Sequence, residues 1–237
     1  MKPFLVIKAG SGFEDPSLRS DFDDWMIRGL AIDPSDAWVV AVYENEPLPD
    51  HSDVAGVVVT GSRAMVTDRE DWSERTAEWL RDGVQKETPI LAVCYGHQLL
   101  AHGLGGTVGD HPLGQELGTV EVVVNELGQK DRLIGQLPER FSAQASHRQS
   151  VLELPESARL LAGNDHEAHH AFAVGNWAWG VQFHPEMDAA AIRVSIERHA
   201  SELSGHDVDA IRAAVRETPE AYSVLKRFAD LVQKWVL

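Results

Sequence analysis

Pro89-Ile-Leu-Ala-Val-Cys94-Tyr-Gly96-His-Gln98-Leu-Leu-Ala-His-Gly-Leu-Gly-Gly106 decides the reading of this chain. The apolar run Ile90–Val93 has the composition of a strand buried on both faces, and a helix opens near His97. Between them stands the chain's single cysteine, Cys94, followed two residues later by Gly96. A strand, a nucleophilic side chain and a helix joined by a sharp turn form a nucleophile elbow. The turn lifts the side chain clear of the sheet, and Gly96 lets neighbouring backbone approach closely. Backbone N–H groups at the helix start favour a thiolate over a thiol.

Working outward, similar apolar runs recur at Phe4–Ile7, Trp38–Val42 and Val54–Val59. Asp71 to Lys86 places Trp72, Ala77, Trp79, Leu80 and Val84 at helical spacing, and Thr88-Pro89 ends that helix. Strands alternating with helices predict an α/β fold with a mostly parallel central sheet. Beyond Gly109 the spacing tightens. Leu117–Val124, Phe141–Ala145, Val151–Leu154, Arg159–Ala162, Ala168–Val174 and Trp177–Phe183 read as strands in an antiparallel or mixed extension of that sheet. From Asp188, a candidate N-cap, the chain turns helical over Ala189–Leu203 and stops at Ser204-Gly205. A last helix carries Tyr222, Leu225, Phe228, Val232 and Trp235 on one stripe that should pack on the body. No repeat or long linker divides the chain. It reads as one domain over 1–237, with a core over about 1–203 and a helical extension over about 206–237.

A cysteine nucleophile needs a base and a group to orient that base. Gly180-Val-Gln-Phe-His184-Pro185-Glu186 supplies both. Residues 184 and 186 share a face if the backbone is extended, and Pro185 pushes its predecessor out of the helical region. His184 is therefore the candidate base and Glu186 its orienter. In Val57-Val-Val-Thr60-Gly61-Ser62-Arg63 a strand runs into a glycine loop, where a second backbone N–H can complete an oxyanion hole whose first donor would be the N–H of Tyr95.

Taken together these segments resemble the triad-type class I glutamine amidotransferases, and among them the stand-alone GMP synthetase-like members. The family's motifs occur in order: Thr60-Gly61-Ser62, Gly96-His97-Gln98 after Cys94, Gly105-Gly106, Gly114-Gln-Glu116-Leu-Gly118, Ser146-His147, Leu154-Pro155, and Val181-Gln182-Phe183-His184-Pro185-Glu186. They cover residues 54–187 densely. The resemblance implies a flavodoxin-like three-layer sandwich with C-terminal helices. It implies that Cys94 attacks the side-chain amide of glutamine, that His184 protonates the departing ammonia and activates water, and that Glu186 orients His184. Gly61 and Tyr95 would form the oxyanion hole. Gln98 would hold the bound glutamine, and Ser146 with His147 would belong to a loop closing over it. No cofactor is implied. The ammonia would pass to a separate synthase subunit, and a homo-oligomer is compatible with the family. Two departures, Thr60-Gly61-Ser62 in place of Gly-Gly-Pro and Arg148-Gln149 in place of Gly-Asp, shift the chain toward relatives that resemble γ-glutamyl peptidases. A γ-glutamyl peptidase acting on a glutathione-like compound is thus the alternative activity. A silent binding or regulatory protein on the same fold is the second alternative.

Composition narrows the remaining classes. Thirty-seven acidic against 21 basic residues give a net charge of −16, which repels nucleic acid in the absence of a basic patch. The uncharged stretch Thr88–Gly109 is interrupted by five glycines, two histidines and Gln98, which argues against a membrane span. Phe4–Ile7 is too short for a signal peptide's apolar core, and one cysteine suits a reducing compartment, so the expected location is the cytoplasm. No phosphate-binding Gly-x-x-x-x-Gly-Lys loop is present, nor the Ser-Gly-Gly-x-Asp-Ser loop of a synthetase half, which the chain is too short to include. His166, His169 and His170 lie near Asp165 and Glu167. No metal is expected there, because adjacent strand residues face opposite ways. Asp21, Asp23 and Asp24 read as the solvated start of a helix ending near Leu30.

Overall fold

The computed structural model describes residues 2–11, 21–200 and 207–236. In chain order the elements are β1 (Phe4–Lys8), α1 (Phe22–Leu30), β2 (Ala37–Ala41), β3 (Gly56–Val59), α2 (Asp71–Gln85), β4 (Ile90–Val93) and α3 (Tyr95–Gly103). There follow β5 (Thr107–Asp110), β6 (Glu116–Val124), β7 (Arg140–His147), β8 (Gln149–Glu153), β9 (Ala158–Gly163), β10 (Ala171–Val174) and β11 (Ala178–Val181). Helices α4 (Ala189–His199), α5 (Val208–Ala213) and α6 (Pro219–Val236) end the chain.

Nine strands form one sheet in the order β2-β1-β3-β4-β11-β10-β9-β6-β7. The first five run parallel. Their 2-1-3-4 order puts a switch point between β1 and β3, and in such sheets ligands gather beyond the carboxyl ends of the strands. Strands β10, β9, β6 and β7 extend the sheet antiparallel, as the shorter spacing after Gly109 suggests.

Strand alternation sorts the core into two layers. Val6, Val58, Leu91 and Val93 face α1 and α6, where they meet Met26, Leu30, Leu225, Phe228 and Val232. Leu5, Ile7, Val57, Val59, Ile90 and Ala92 face the other way, against Trp72, Ala77 and Leu80 of α2 and Leu99 and Leu100 of α3. Both faces of β1, β3, β4 and β11 are dry, which is why those runs are continuously apolar, whereas the edge strand β2 leaves Trp38 exposed. A smaller cluster under α4 joins Phe22, Trp25, Leu117, Met187, Ile192 and Ile196.

Several expectations change. Val151–Leu154 is not part of the main sheet: β8 pairs with β5, a strand the sequence does not announce, in a separate two-stranded sheet. On α6, Leu225, Phe228 and Val232 are buried, but Tyr222 and Trp235 are exposed by 37% and 47%. The buried stripe instead takes in Ala221, Val224 and Ala229. Of the acidic group at the start of α1, Asp24 is exposed as expected, but Asp21 and Asp23 are half-buried. Asp21 caps the helix reciprocally with Asp24, and Asp21 and Asp23 both clasp Lys8 Nζ at 2.9 Å. Asp188 caps α4 through the Ala191 N–H as expected, while the stop at Ser204-Gly205 lies outside the described residues. Among the described residues no helix is long and apolar enough to cross a membrane.

Candidate active site

Cys94 follows β4 directly, with φ +51° and ψ −103°, a backbone conformation that non-glycine residues rarely adopt. Its N–H donates to Val181 O at 2.8 Å and its carbonyl accepts the Gln98 N–H at 3.1 Å, so β11 and the first turn of α3 fix the corner from both sides. Helix α3 starts at Tyr95, two residues before the expected His97. Gly96 passes against β3: a Cβ there would stand 2.8 Å from Val59 Cβ and 3.0 Å from Val59 O. The tight packing expected of that glycine is present.

His184 Nδ1 donates to Glu186 Oε1 at 2.7 Å, and both side chains are buried. The contact does not form on extended backbone. Strand β11 stops at Val181, and Pro185 and Glu186 lie in a turn that folds the carboxylate back onto the ring. The His184 N–H is held by Gln144 O at 2.8 Å, and Phe22 stacks on the imidazole at 6.3 Å with planes 11° apart. Burial alone would push the His184 pKa down. The charge of Glu186 beside it, together with the charge and hydrogen bond of Cys94, overcomes that and raises it well above the ordinary value. With Nδ1 engaged by Glu186, Nε2 is the nitrogen left for the sulfur. The Cys94 thiol also points at Ser146 O, 3.9 Å away.

Gly61 lies beside both groups: a Cβ on it would meet His184 Cε1 at 3.0 Å and Cys94 Cβ at 3.8 Å. Thr60 ties that loop to the end of β1, accepting from the Ala9 N–H at 3.0 Å. Tyr95 is the first residue of α3, so its N–H has no acceptor within the helix. A cleft of about 270 Å³ connects these parts, lined among others by Cys94, Tyr95, Gln98, Ser146, His147 and His184.

Three residues expected to bind substrate are set differently from one another. Gln98 donates both amide hydrogens inside the protein, to Gln149 O at 2.7 Å and Gln182 Oε1 at 3.0 Å, which leaves its carbonyl for the cleft. Ser146 and His147 do not form a closing loop. They are the last residues of β7, paired with Leu117 and Glu116 of β6. Ser146 Oγ meets Ser195 Oγ of α4 at 2.8 Å. His147 is buried, with Nε2 3.0 Å from Glu116 Oε2 and Nδ1 3.1 Å from Gln149 O.

Glu116 is the residue the sequence reading left without a role. His147 Nε2 and His170 Nε2 approach its Oε2 at 3.0 and 3.2 Å, and Asn164 Nδ2 donates to its Oε1 at 2.9 Å. Burial raises its pKa, but the hydrogen bonds and charge of the two histidines outweigh this and hold the carboxyl far below the usual carboxylate range. Its place in the motif Gly114–Gly118 was the available signal. His169 and His170 precede β10 in a turn instead of sitting within a strand. Among the described residues no group of three or more His, Cys, Asp and Glu is arranged to hold a metal.

The comparisons with known proteins agree on a family. A GMP synthase (glutamine-hydrolyzing) from Aeropyrum pernix is 40% identical over 133 residues, 56% of this chain and 24% of that protein. Gamma-glutamyl peptidase 5 of Arabidopsis thaliana is 30% identical over 155 residues, 63% of this chain and 62% of that one. The match thus spans about a quarter of the synthase and less than two thirds of the peptidase. A solved glutamine amidotransferase from Thermotoga maritima shares the fold, with a TM-score of 0.77 at 20% identity over 98% of each chain. The family model for glutamine amidotransferase class-I matches residues 32–198, and on that match, which takes in the elbow and the His184–Glu186 turn alike, the chain belongs to the class-I glutamine amidotransferase family.

Proposed function

We propose that this protein hydrolyses a γ-glutamyl amide, with glutamine as substrate, through a Cys94 thioester. The observation that carries the reading is one cysteine held at an elbow against a histidine that a buried carboxylate orients. Cys94 Sγ attacks the γ-carbonyl carbon, and its proton goes to His184. The tetrahedral oxyanion is taken up by the N–H groups of Gly61 and Tyr95. Collapse expels ammonia, which takes the proton from His184 and leaves the γ-glutamyl thioester. Water, deprotonated by His184, then releases glutamate and restores the thiol. Glu186 keeps the Nδ1 hydrogen in place and stabilises the imidazolium. In this reading the Gln98 carbonyl accepts from the substrate's α-ammonium, supported by its place in the cleft that Ser146 and His147 also wall. A reducing compartment such as the cytoplasm keeps Cys94 free, and the ammonia has a natural acceptor in a separate synthase subunit. The test is labelling with a diazo-ketone analogue of glutamine. Wild type should take up one equivalent, at Cys94, while Cys94→Ser takes up none and releases no glutamate from glutamine. Labelling of Cys94→Ser to the same extent refutes the thioester.

A second reading has an observation of its own. Arg63, Arg148 and His199 line the cleft, and among the described residues that line it none is an aspartate or glutamate, in a chain of net charge −16. That field suits a leaving group bearing a carboxylate, as a γ-glutamyl peptide does. Arg148 stands at the rim, 3.4 Å from Asp110, and is open to solvent. Cleavage of a γ-glutamyl dipeptide that falls in Arg148→Gly, with glutamine hydrolysis unchanged, favours the peptidase reading.

A further inference from the structure

The nucleophile and the base are anchored by different parts of the fold. Cys94 is tied to β11 and to the first turn of α3. His184 lies beyond the end of β11, and its N–H donates to Gln144 O on β7 at 2.8 Å. Strand β7 is the last strand of the main sheet, with β6 on its one paired side. Gln144 is fully buried and is not among the residues that line the cleft. Its amide is taken up in a closed ring of hydrogen bonds. Thr119 stands opposite it on β6, and the Thr119 hydroxyl donates to Gln144 Oε1 at 2.9 Å. Gln144 Nε2 donates to Arg216 O at 2.7 Å, and the Arg216 N–H donates back to Thr119 Oγ1 at 3.2 Å. We propose that Gln144 is a positioning residue for His184: the ring locks the β7 peptide whose carbonyl carries the base, and makes the connection between α5 and α6, where Arg216 sits, part of the support of the site.

The three bonds run one way round the ring, each residue donating to the next, so each strengthens its neighbour. The other restraints on His184 act on its ring: Glu186 on Nδ1 and Phe22 on the face. Glu186 belongs to the same turn and moves with the histidine, so it cannot fix where that turn stands relative to Cys94. The Gln144 carbonyl can, because β7 is anchored independently of β11 and α3. When the ring opens, the β7 peptide is free to shift while Cys94 stays with β11, and imidazole and sulfur drift apart. A misplacement of about 1 Å in a reacting pair can cost about 10²-fold in rate. The consequence for turnover rests on the hydrolysis reading above; the effect on the sulfur does not.

The experiment uses the chain's single cysteine. The rate of Cys94 alkylation by iodoacetamide at one fixed pH reads the histidine beside it, because the thiolate is the reacting form. His184→Ala sets the floor. Gln144→Met, which keeps the length of the side chain and deletes both its hydrogen bonds, should slow alkylation by about three- to tenfold, part of the way to that floor. Thr119→Val should slow it by about twofold, and this change of one half-buried hydroxyl carries the test should Gln144→Met fail to fold. With glutamine, kcat should fall by about tenfold in Gln144→Met with KM within about twofold, since Gln144 does not line the cleft. Ser142→Ala is the structural control. It removes another tie of the same connection, Arg216 Nη2 to Ser142 Oγ at 2.8 Å, and leaves the ring whole, so alkylation should be unchanged. Wild-type alkylation in folded Gln144→Met and Thr119→Val, a rise in KM with kcat kept, or an equal loss in Ser142→Ala overturns the assignment. A wild type that hydrolyses no glutamine, yet alkylates in a manner that His184 and Gln144 control, refutes the hydrolysis reading and upholds this one.

Discussion

Replacing Glu116 with glutamine asks whether charge or shape holds the polar layer that carries His147 under the cleft. The carboxylate takes three hydrogen bonds: Asn164 Nδ2 at 2.9 Å on one oxygen, His147 Nε2 and His170 Nε2 at 3.0 and 3.2 Å on the other. Glutamine keeps the shape but turns one acceptor into a donor. Either Asn164 or the pair of histidines then meets an N–H₂ in place of an oxygen. Hydrogen bonds to a charged group contribute about 1.5–3 kcal/mol each, and breaking a buried ion pair costs about 3–5 kcal/mol. Since one oxygen is retained, the expected loss is about 2–4 kcal/mol near neutral pH. Urea unfolding followed by tryptophan fluorescence measures it, with the denaturant slope unchanged. The pH dependence separates charge from packing. The folded-state pKa of Glu116 is depressed below the ordinary glutamate value, so its contribution is present in full above that value. As the pH falls further, the unfolded chain takes up a proton that the native carboxylate refuses. The wild type then loses up to about 1.4 kcal/mol per pH unit that the glutamine variant does not, and the gap between them narrows. A loss below about 0.5 kcal/mol near pH 7, or a gap constant down to about pH 3.5, refutes this account.

Two further substitutions test the elbow and the base. Glu186→Gln removes the charge that raises the His184 pKa, so kcat should fall by about 10²–10⁴, less than in His184→Ala, and the pH profile of kcat/KM should move to lower pH. An unshifted profile with full activity removes Glu186 from the reaction. Gly96→Ala sets a methyl 2.8 Å from Val59 Cβ and should cost about 1–3 kcal/mol in urea unfolding and slow the labelling of Cys94.

The parallel half of the fold is legible in sequence because its strands, the edge strand β2 apart, are buried on both faces. Ile90–Val93 matches β4 end for end, and the runs before it shift by a residue or two. Strand β5 is illegible for the opposite reason: Thr107-Val-Gly-Asp110 has one strongly apolar residue and pairs only with β8, at the surface. The elbow and the His184–Glu186 pair can be read locally, since a strand end and a two-residue spacing are short-range features. Glu116 stands in a local motif that does not disclose its partners, and Gln144 and Phe22 cannot be found that way at all. They reach the site from β6, β7 and α1, over separations that only the folded sheet closes. The proline logic at 185 gave the right contact by the wrong geometry, because a turn as well as an extended segment can bring residues two apart together.

What keeps Cys94 at φ +51° is the packing of the elements around it. Residues held in sparsely populated backbone regions cost about 1–3 kcal/mol and persist only where the surroundings over-determine them. Here the determinants are separable. The Cys94 N–H is locked to Val181 on β11, so the residue just past β4 cannot slide along the strand. Gly96 is pressed on Val59 of β3, so α3 cannot rise to relax the corner. Gln98 then ties the first turn of α3 to Gln149 and Gln182 through its side chain. Three strands and one side chain thus hold a corner that glycine would adopt with less strain. A glycine there would carry no sulfur, and a cysteine in a relaxed corner would not be held against His184. The strain is local and the restraint is distributed, so substitutions at Gly96 or Gln98, neither of which supplies the nucleophile or the base, should disturb Cys94 as directly as changes beside it.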